Sequence, residues 1–221
     1  MPALAPPRRP GETHSVPPAE TAPQLLIATN NPGKVRELRR LLDGCGFDVL
    51  TPGDLSLALE VEETGTTYAE NATLKARAFA AAAGILALAD DSGIEVDALG
   101  GAPGVYSARY GGPGLDDAGR VQWLLHDLRG RPHPARGARY RAIVAVAEPA
   151  GGSGTVVTFE GVQEGYIACT PRGEGGFGYD PIFLVDPWRT QAELSPEEKD
   201  VLSHRGKAVR AARAYLRAQV R

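Results

Sequence analysis

Two adjacent acids, Asp90 and Asp91, follow the apolar segment 85–89 and precede Ser92 and Gly93. Carboxylates beside a buried strand cost free energy unless a cation offsets their charge. The segment therefore predicts a strand that ends in an acidic turn. Because successive strand residues face opposite sides, at most one acid points into a given cleft, where it suits a hard cation such as Mg²⁺. A solvent-exposed acidic turn is the alternative.

A polar stretch between a predicted strand (24–28) and a predicted helix is suited to binding an anion. Its residues are Thr29, Asn30, Asn31, Pro32, Gly33 and Lys34. Free N–H groups and the helix dipole favour an anion at such a junction. Gly33 allows close approach of the backbone, and Lys34 adds a charge suited to phosphate. An ordinary turn with an asparagine helix cap explains the stretch equally well.

Two further groups of charged residues are weaker signals. Glu62 and Glu63 form a second acidic pair before a helix that bears Lys75. Taken alone, the polar side of that helix is explained by contact with water. Arg109 follows the glycine-rich loop 99–104, and a salt-bridging surface arginine explains it equally well.

The C-terminal third combines a glycine-rich loop with a cluster of donors. The loop 173–181 contains Phe177, whose ring could stack on a base while the glycines let the backbone wrap round a ligand. A flexible hairpin is the alternative. Lys199 and, one turn later, His204 and Arg205 at a helix start suit an anion or a carbonyl oxygen, whereas a solvated cap is the plainer interpretation.

Hydrophobic periodicity and capping signals predict the elements that carry these groups. The predicted strands are 24–28, 85–89, 140–147, 155–162 and 182–185; the predicted helices begin near residues 35, 67, 116, 196 and 203. Strands and helices alternate early, and the middle is rich in strands. This order favours an α/β fold with a mixed sheet and a smaller strand-rich lobe.

Composition narrows the class of protein. A formal charge of −3 over 221 residues gives no reason to expect nucleic-acid or membrane binding. Cys45 and Cys169 are too few for a disulfide framework, and no signal-peptide core precedes the first strand, so we expect a cytoplasmic protein. Proline-rich residues 1–23 predict a disordered tail, and 24–221 a single domain.

Five segments, taken together, resemble the successive motifs of the inosine/xanthosine triphosphate pyrophosphatase family. They occur in the family's order and cover nearly all of residues 25–217: TNNPGKVREL, EETGTTYAENATLKA, ADDSGIEVDALGGAPGVYSARY, GEGGFGYDPIF and ELSPEEKDVLSHRGKA. The resemblance implies an elongated α/β fold with a central mixed sheet flanked by helices, a nucleotide cleft between two lobes, and a homodimer.

The resemblance also implies roles for individual residues. Asp91 resembles the catalytic carboxylate and binds Mg²⁺ together with Glu62, although the sequence leaves open whether Glu62 or Glu63 faces the metal. The implied substrate-binding residues are Thr29, Asn30, Asn31, Pro32, Gly33, Lys34, Lys75, Ser92, Arg109, Phe177, Gly178, Tyr179, Asp180, Lys199, His204 and Arg205.

The implied reaction is Mg²⁺-assisted attack of water at the α-phosphorus of ITP, dITP or XTP, giving a monophosphate and pyrophosphate. Donors from His204 and Arg205 facing O6 would exclude adenine, whose 6-amino group is itself a donor. How guanine is excluded does not follow from the sequence. Two alternatives stay open: a Maf-like pyrophosphatase with another base preference, and a nucleotide-binding module without catalysis.

Overall fold

A six-stranded mixed sheet forms the centre of the molecule. The computed structural model describes residues 22–149, 152 and 154–219. The strands are β1 (Gln24–Ile27), β2 (Asp48–Leu50), β3 (Leu86–Val96), β4 (Gly137–Ala147), β5 (Val156–Ile167) and β6 (Phe183–Leu184). Their order is β2-β1-β3-β4-β5-β6, in which β1 pairs in parallel with β2 and β3, and the remaining pairs are antiparallel.

Five α-helices flank this sheet in the part of the chain that the structure describes. They are α1 (Pro32–Leu42), α2 (Tyr68–Ala83), α3 (Asp117–Asp127), α4 (Pro196–Leu202) and α5 (His204–Gln219). Short 3₁₀ helices occupy Asp97–Leu99, Gly104–Arg109, His133–Ala135, Asp180–Ile182 and Gln191–Glu193. The predicted mixed α/β sheet flanked by helices is confirmed.

The helices lie on both faces of the sheet because strand residues alternate in direction. Leu88 of β3 packs with α1 and α5 on one face, whereas Ala89 packs with α2 on the other. A third apolar cluster joins the far ends of β3 and β4 to α3 and β6. Asp90 therefore shares its face with Leu88, and Asp91 shares its face with Ala89.

The structure corrects the prediction of a turn at the acidic pair. β3 continues through Asp90 and Asp91 to Val96, paired with β4 throughout, and Asp91 lies opposite Ile143. The strand can continue because cations from distant parts of the chain offset both charges, as described below. Gly93 has a packing reason in this strand: a Cβ there would lie 2.3 Å from the carbonyl oxygen of Gly104.

Local capping signals place the site-bearing helices as predicted. Thr67 and Glu70 form a capping box at α2, and Gly84 ends that helix in a left-handed conformation. Ser195 and Glu198 form a second capping box at the start of α4. None of the helices in the described part of the chain combines the length and apolar character needed to cross a bilayer. The predicted tail, apart from residues 22–23, and Val220 of the last predicted helix lie outside the described residues.

Candidate active site

A cavity of about 440 Å³ lies where β1, β3, α2 and the loop after β5 approach one another. Fourteen of the residues predicted to form the site line it: Thr29, Asn30, Asn31, Lys34, Lys75, Asp91, Ser92, Phe177, Gly178, Tyr179, Asp180, Lys199, His204 and Arg205. The structure thus brings together residues separated by up to 176 positions, from Thr29 to Arg205, in one concave site of the size usual for small ligands.

Asp91 lies at one end of the cavity and faces α2. The Nζ atom of Lys75 lies 2.8 Å from Asp91 Oδ1 and 2.6 Å from Glu63 Oε1, so one ammonium group joins two carboxylates. Asp91 Oδ2 is buried and has no hydrogen-bond partner among the described residues. A buried carboxylate oxygen without a partner is uncommon, and it marks a position where a cation or a proton would be accommodated.

Asp90 points to the opposite face of β3 and is bound by different cations. Lys34 Nζ lies 2.8 Å from Asp90 Oδ2, and Arg205 Nη2 lies 3.2 Å from the same oxygen. Arg205 also donates to Ser92 Oγ at 2.8 Å and to Glu37 Oε2 at 2.6 Å. Asp90 does not line the cavity, so its charge holds the cations of the site rather than a ligand.

The two neighbouring acids differ in their proton affinity. Burial raises the pKa of Asp91 above its usual value, and Lys75 and Lys34 offset only part of that rise. Burial also acts to raise the pKa of Asp90, but Arg205 and Lys34 outweigh it and hold that pKa far below its usual value. Asp91 is therefore the acid of the pair that more readily accepts a proton.

An aromatic loop forms the other end of the cavity. The ring of Phe177 lies 5.2 Å from Lys199 Nζ and 5.4 Å from the Arg205 guanidinium carbon. Its backbone N–H donates to Asp180 Oδ2 at 2.9 Å, and Lys199 binds that same oxygen at 2.5 Å. Asp180 Oδ1 accepts from Gln191 Nε2 at 2.9 Å, so this buried carboxylate fixes the loop. Phe177 is half-buried and lines the cavity, where an aromatic ring is suited to stacking on a base.

Two buried nitrogens, on His204 and Arg205, also lie beside this loop. His204 Nδ1 and Arg205 Nε are buried without a hydrogen-bond partner among the described residues. The His204 ring stacks on Tyr140 with centroids 4.5 Å apart and an interplanar angle of 10°. Burial, with a smaller contribution from Arg205, lowers the pKa of His204 well below its usual value, so the ring is neutral at pH 7. A neutral imidazole can donate one N–H to a carbonyl oxygen.

Acid should destabilise the fold through His204. Its pKa is well below 6.5 in the folded state and is near 6.5 when unfolded, so the unfolded chain binds the extra proton as pH falls below 6.5. Between pH 7.5 and 5.5 this linkage costs about 1.4 kcal/mol of unfolding free energy. His204→Phe, which keeps a ring on Tyr140, should remove that part of the loss in urea titrations at the two pH values. Equal losses of unfolding free energy in wild type and in His204→Phe would contradict this prediction.

Four predicted site residues do not line the cavity. Gly33 supports it indirectly, since a Cβ there would lie 2.7 Å from the Phe177 ring, and Pro32 begins α1. Arg109 is half exposed and approaches Glu63 Oε2 at 3.9 Å. Glu62 is exposed, whereas its neighbour Glu63 lines the cavity. The structure therefore places Glu63, not Glu62, beside Asp91.

Sequence reasoning did not identify several other residues of the site. Tyr140, Asp117 and Arg120 line the cavity, and Glu37 binds Lys199 Nζ and Arg205 Nη1 at 2.6 Å each. Glu37 is 7% exposed although it lies in a helix between basic residues, which is the one sequence signal that could have suggested a buried partner. Tyr140 and Arg120 lie within an ordinary strand and helix pattern that gives no such signal.

Known proteins resemble this chain over most of its length. The model of the Ham1 family matches residues 25–215. The chain is 52% identical to a protein of Desulforamulus reducens named dITP/XTP pyrophosphatase, over 87% of this chain and 95% of that protein. It is 48% identical to a Bacillus subtilis protein of the same name, over 85% and 93% of the two chains.

Solved structures resemble this fold closely. A HAM1 protein from Coxiella burnetii superposes with a TM-score of 0.77 at 40% identity, covering 87% of this chain and 98% of that one. A dITP/XTP pyrophosphatase from Mycobacterium abscessus gives 0.67 at 43% identity, covering 86% and 98%. The match to the Ham1 family model, over residues 25–215, spans all the residues that line the cavity.

Proposed function

This chain belongs to the Ham1 family, and on that premise we propose that it hydrolyses non-standard purine nucleoside triphosphates to a monophosphate and pyrophosphate. ITP, dITP and XTP are the proposed substrates. The observation that carries the proposal is the arrangement at Asp91, where Lys75 joins it to Glu63 and leaves one buried oxygen free. Relatives named dITP/XTP pyrophosphatase, about half identical over most of the chain, support the choice of substrate.

The residues around Asp91 fit a magnesium ion. Mg²⁺ prefers carboxylate oxygens, takes only one or two from the protein, and fills its other positions with water and substrate phosphates. Asp91 and Glu63 supply two such groups, and no cluster of three candidate ligands occurs among the described residues. We propose Asp91 and Glu63 as the ligands, so that Glu63 takes the role that the sequence comparison gave to Glu62. Bound there, Mg²⁺ would neutralise phosphate charge as a Lewis acid.

The cations of the cavity would bind the triphosphate. Lys34 projects from the first turn of α1, where the helix dipole adds to its charge. Lys75 lies beside Asp91, and the pKa of its ammonium is raised because Asp91 and Glu63 outweigh the effect of burial. Both lysines would stabilise negative charge on the leaving pyrophosphate.

Asp91 would orient the attacking water and accept its proton. In the proposed reaction the water oxygen bonds to the α-phosphorus, and the bond from that phosphorus to the bridging oxygen breaks. The proton would pass to Asp91, which lines the cavity, rather than to Asp90, which does not line it and whose pKa is held far below its usual value by Arg205 and Lys34. The products are the nucleoside monophosphate and pyrophosphate.

The donors near Phe177 would select a 6-oxo purine. A base stacked on Phe177 would bring O6 toward His204 Nδ1 and Arg205 Nε, two buried nitrogens without a hydrogen-bond partner among the described residues. Adenine carries an amino donor at C6, so that group and the donors of His204 and Arg205 would all be left without an acceptor. The arrangement therefore favours hypoxanthine and xanthine over adenine.

The proposed activity has a direct test in product analysis. With Mg²⁺, the purified protein should release pyrophosphate from ITP, dITP and XTP, and removal of the metal with a chelator should stop turnover. Release of orthophosphate instead would overturn the pyrophosphatase proposal. Comparable turnover of pyrimidine triphosphates would indicate another base preference, and binding of ITP without turnover would indicate a module without catalysis.

Oligomeric state and compartment remain predictions from the sequence. We propose a homodimer, which sedimentation equilibrium would test by giving twice the mass of one chain. We also propose a cytoplasmic location, in keeping with Cys45 and Cys169, both of which are free thiols. The organisation of residues 24–221 as a single domain likewise stays a proposal, supported by the family match over 25–215.

A further inference from the structure

Arg120, in the first turn of α3, differs from the other cations that line the cavity. Lys34, Lys75, Lys199 and Arg205 each have a carboxylate oxygen within 2.8 Å. Among the described residues, Arg120 has only Asp117 Oδ1 as a carboxylate partner, at 3.5 Å from its Nη1. Its Nε is buried and has no hydrogen-bond partner among the described residues. A largely buried guanidinium with unused donors is suited to an acceptor on a ligand.

Arg120 lies beside the aromatic loop at Gly178 and Tyr179, a different flank from the Phe177 ring, over which Arg205 lies. Asp117 joins Arg120 to the loop, because its Oδ1 lies near Arg120 and its Oδ2 accepts from the backbone N–H of Gly178 at 2.8 Å. The Arg120 charge also lowers the pKa of Tyr179, against the larger rise caused by burial. Lys199 and Arg205, in contrast, lie over the ring of Phe177. A base on Phe177 would thus have cationic donors on two flanks.

We propose that Arg120 recognises the substituent at C2 of the bound purine and donates to the 2-oxo oxygen of xanthine. The inference rests on the proposed function, because it takes O6 to lie near His204 and Arg205. C2 is separated from C6 by one ring atom, so its substituent points in a different direction from O6. The second flank of the loop, where Arg120 lies, is the side available to that substituent.

The three 6-oxo purines would interact differently with Arg120. Xanthine presents an acceptor at C2, and its ring readily loses a proton, which places negative charge near that oxygen and strengthens the hydrogen bond. Hypoxanthine has only a C–H at C2, so Arg120 neither strengthens nor weakens its binding. Guanine carries an amino group at C2, which is a donor and would face the donors of Arg120. Both groups would then be left without an acceptor. Arg120 would therefore favour XTP and disfavour GTP, although both carry the same O6.

Steady-state kinetics of Arg120→Gln test the assignment. The value of kcat/KM for XTP should fall by roughly 10- to 100-fold, as expected for loss of a hydrogen bond to a charged group. The value for ITP should change by less than about 3-fold, and the ratio of GTP to ITP turnover should rise. Arg129→Gln, an equal loss of charge at an exposed position after α3, is the matched control and should leave all ratios unchanged.

The substrate pattern separates the proposal from its competitors. Equal loss on XTP and ITP would show that Arg120 only positions the loop through Asp117, and loss on ITP but not dITP would place it at the ribose 2′-hydroxyl. Either result, or an unchanged ratio of XTP to ITP, overturns the proposal. Arg120→Lys, which keeps the charge, should retain more XTP selectivity than Arg120→Gln, and retained ITP turnover reports an intact fold. If wild-type protein released no pyrophosphate from ITP or XTP, the proposed function itself would fail instead.

Discussion

Replacing Asp91 by asparagine should lower kcat for ITP and XTP by roughly 10³-fold or more, because it removes a metal ligand and a proton acceptor together. The fold should survive. Burial raises the pKa of Asp91, so the charged form is disfavoured there and a neutral amide of the same shape relieves that cost. Lys75 would keep Glu63 as its partner at 2.6 Å. Pyrophosphate release and thermal unfolding of the same preparation measure the two effects.

A matched pair of glutamate variants sharpens this experiment. Glu63→Gln should also lower kcat, because Glu63 lines the cavity and shares Lys75 with Asp91. Glu62→Gln should leave kcat nearly unchanged, because Glu62 is exposed and lies outside the lining. An Asp91→Asn protein with near-normal kcat would show that the reaction does not depend on this carboxylate. A loss confined to Glu62→Gln would assign the second metal position to the exposed acid.

Elements with strong local signals could be predicted from the sequence. The capping boxes at Thr67 and Ser195 mark the starts of α2 and α4, and runs rich in β-branched and aromatic residues mark β4 and β5. These signals depend on residues within a few positions of one another, so they do not need the tertiary structure. In contrast, β2 is only three residues long and carries no pattern that distinguishes it from a loop.

The continuation of β3 through the acidic pair could not be predicted, because it depends on contacts between distant residues. An acidic pair read alone favours a turn, where water solvates both charges. In the fold, Lys75 pairs with Asp91, while Lys34 and Arg205 pair with Asp90. These partners lie between 16 and 115 positions away along the chain, so no local pattern reports them.

The same limitation explains which parts of the site the sequence left open. Glu62 and Glu63 are equivalent in a sequence motif, and only their side-chain directions decide which one lines the cavity. Arg120 lies on α3. The apolar spacing of that helix predicts the helix itself but not which residues face its first turn. Most site residues inside the five motifs were identified in advance, although Glu37 was not. A residue such as Arg120, whose role depends on a neighbouring loop, could be identified only from the tertiary structure.

Asp90 should prove to be the structural member of the pair, and Asp90→Asn should lower the free energy of unfolding by about 3–5 kcal/mol at pH 7. The substitution removes the charge that Lys34 and Arg205 share in a fully buried setting, and Arg205 would keep only Glu37 as a charged partner. Urea titration of the variant measures the loss. Asp43→Asn, at an exposed position after α1, is the control and should change little.

The pH dependence of that loss identifies its cause. The pKa of Asp90 is strongly lowered in the folded state from its usual 3.8, so its stabilising effect is complete well above pH 3.8 and declines as pH falls below it. The difference between wild type and Asp90→Asn should therefore be constant from pH 7 to about pH 5 and shrink in stronger acid. A difference below about 1 kcal/mol at pH 7 would mean that the buried pairs only offset the cost of their own desolvation. Asp90 would then be tolerated in the strand by its cations without stabilising it.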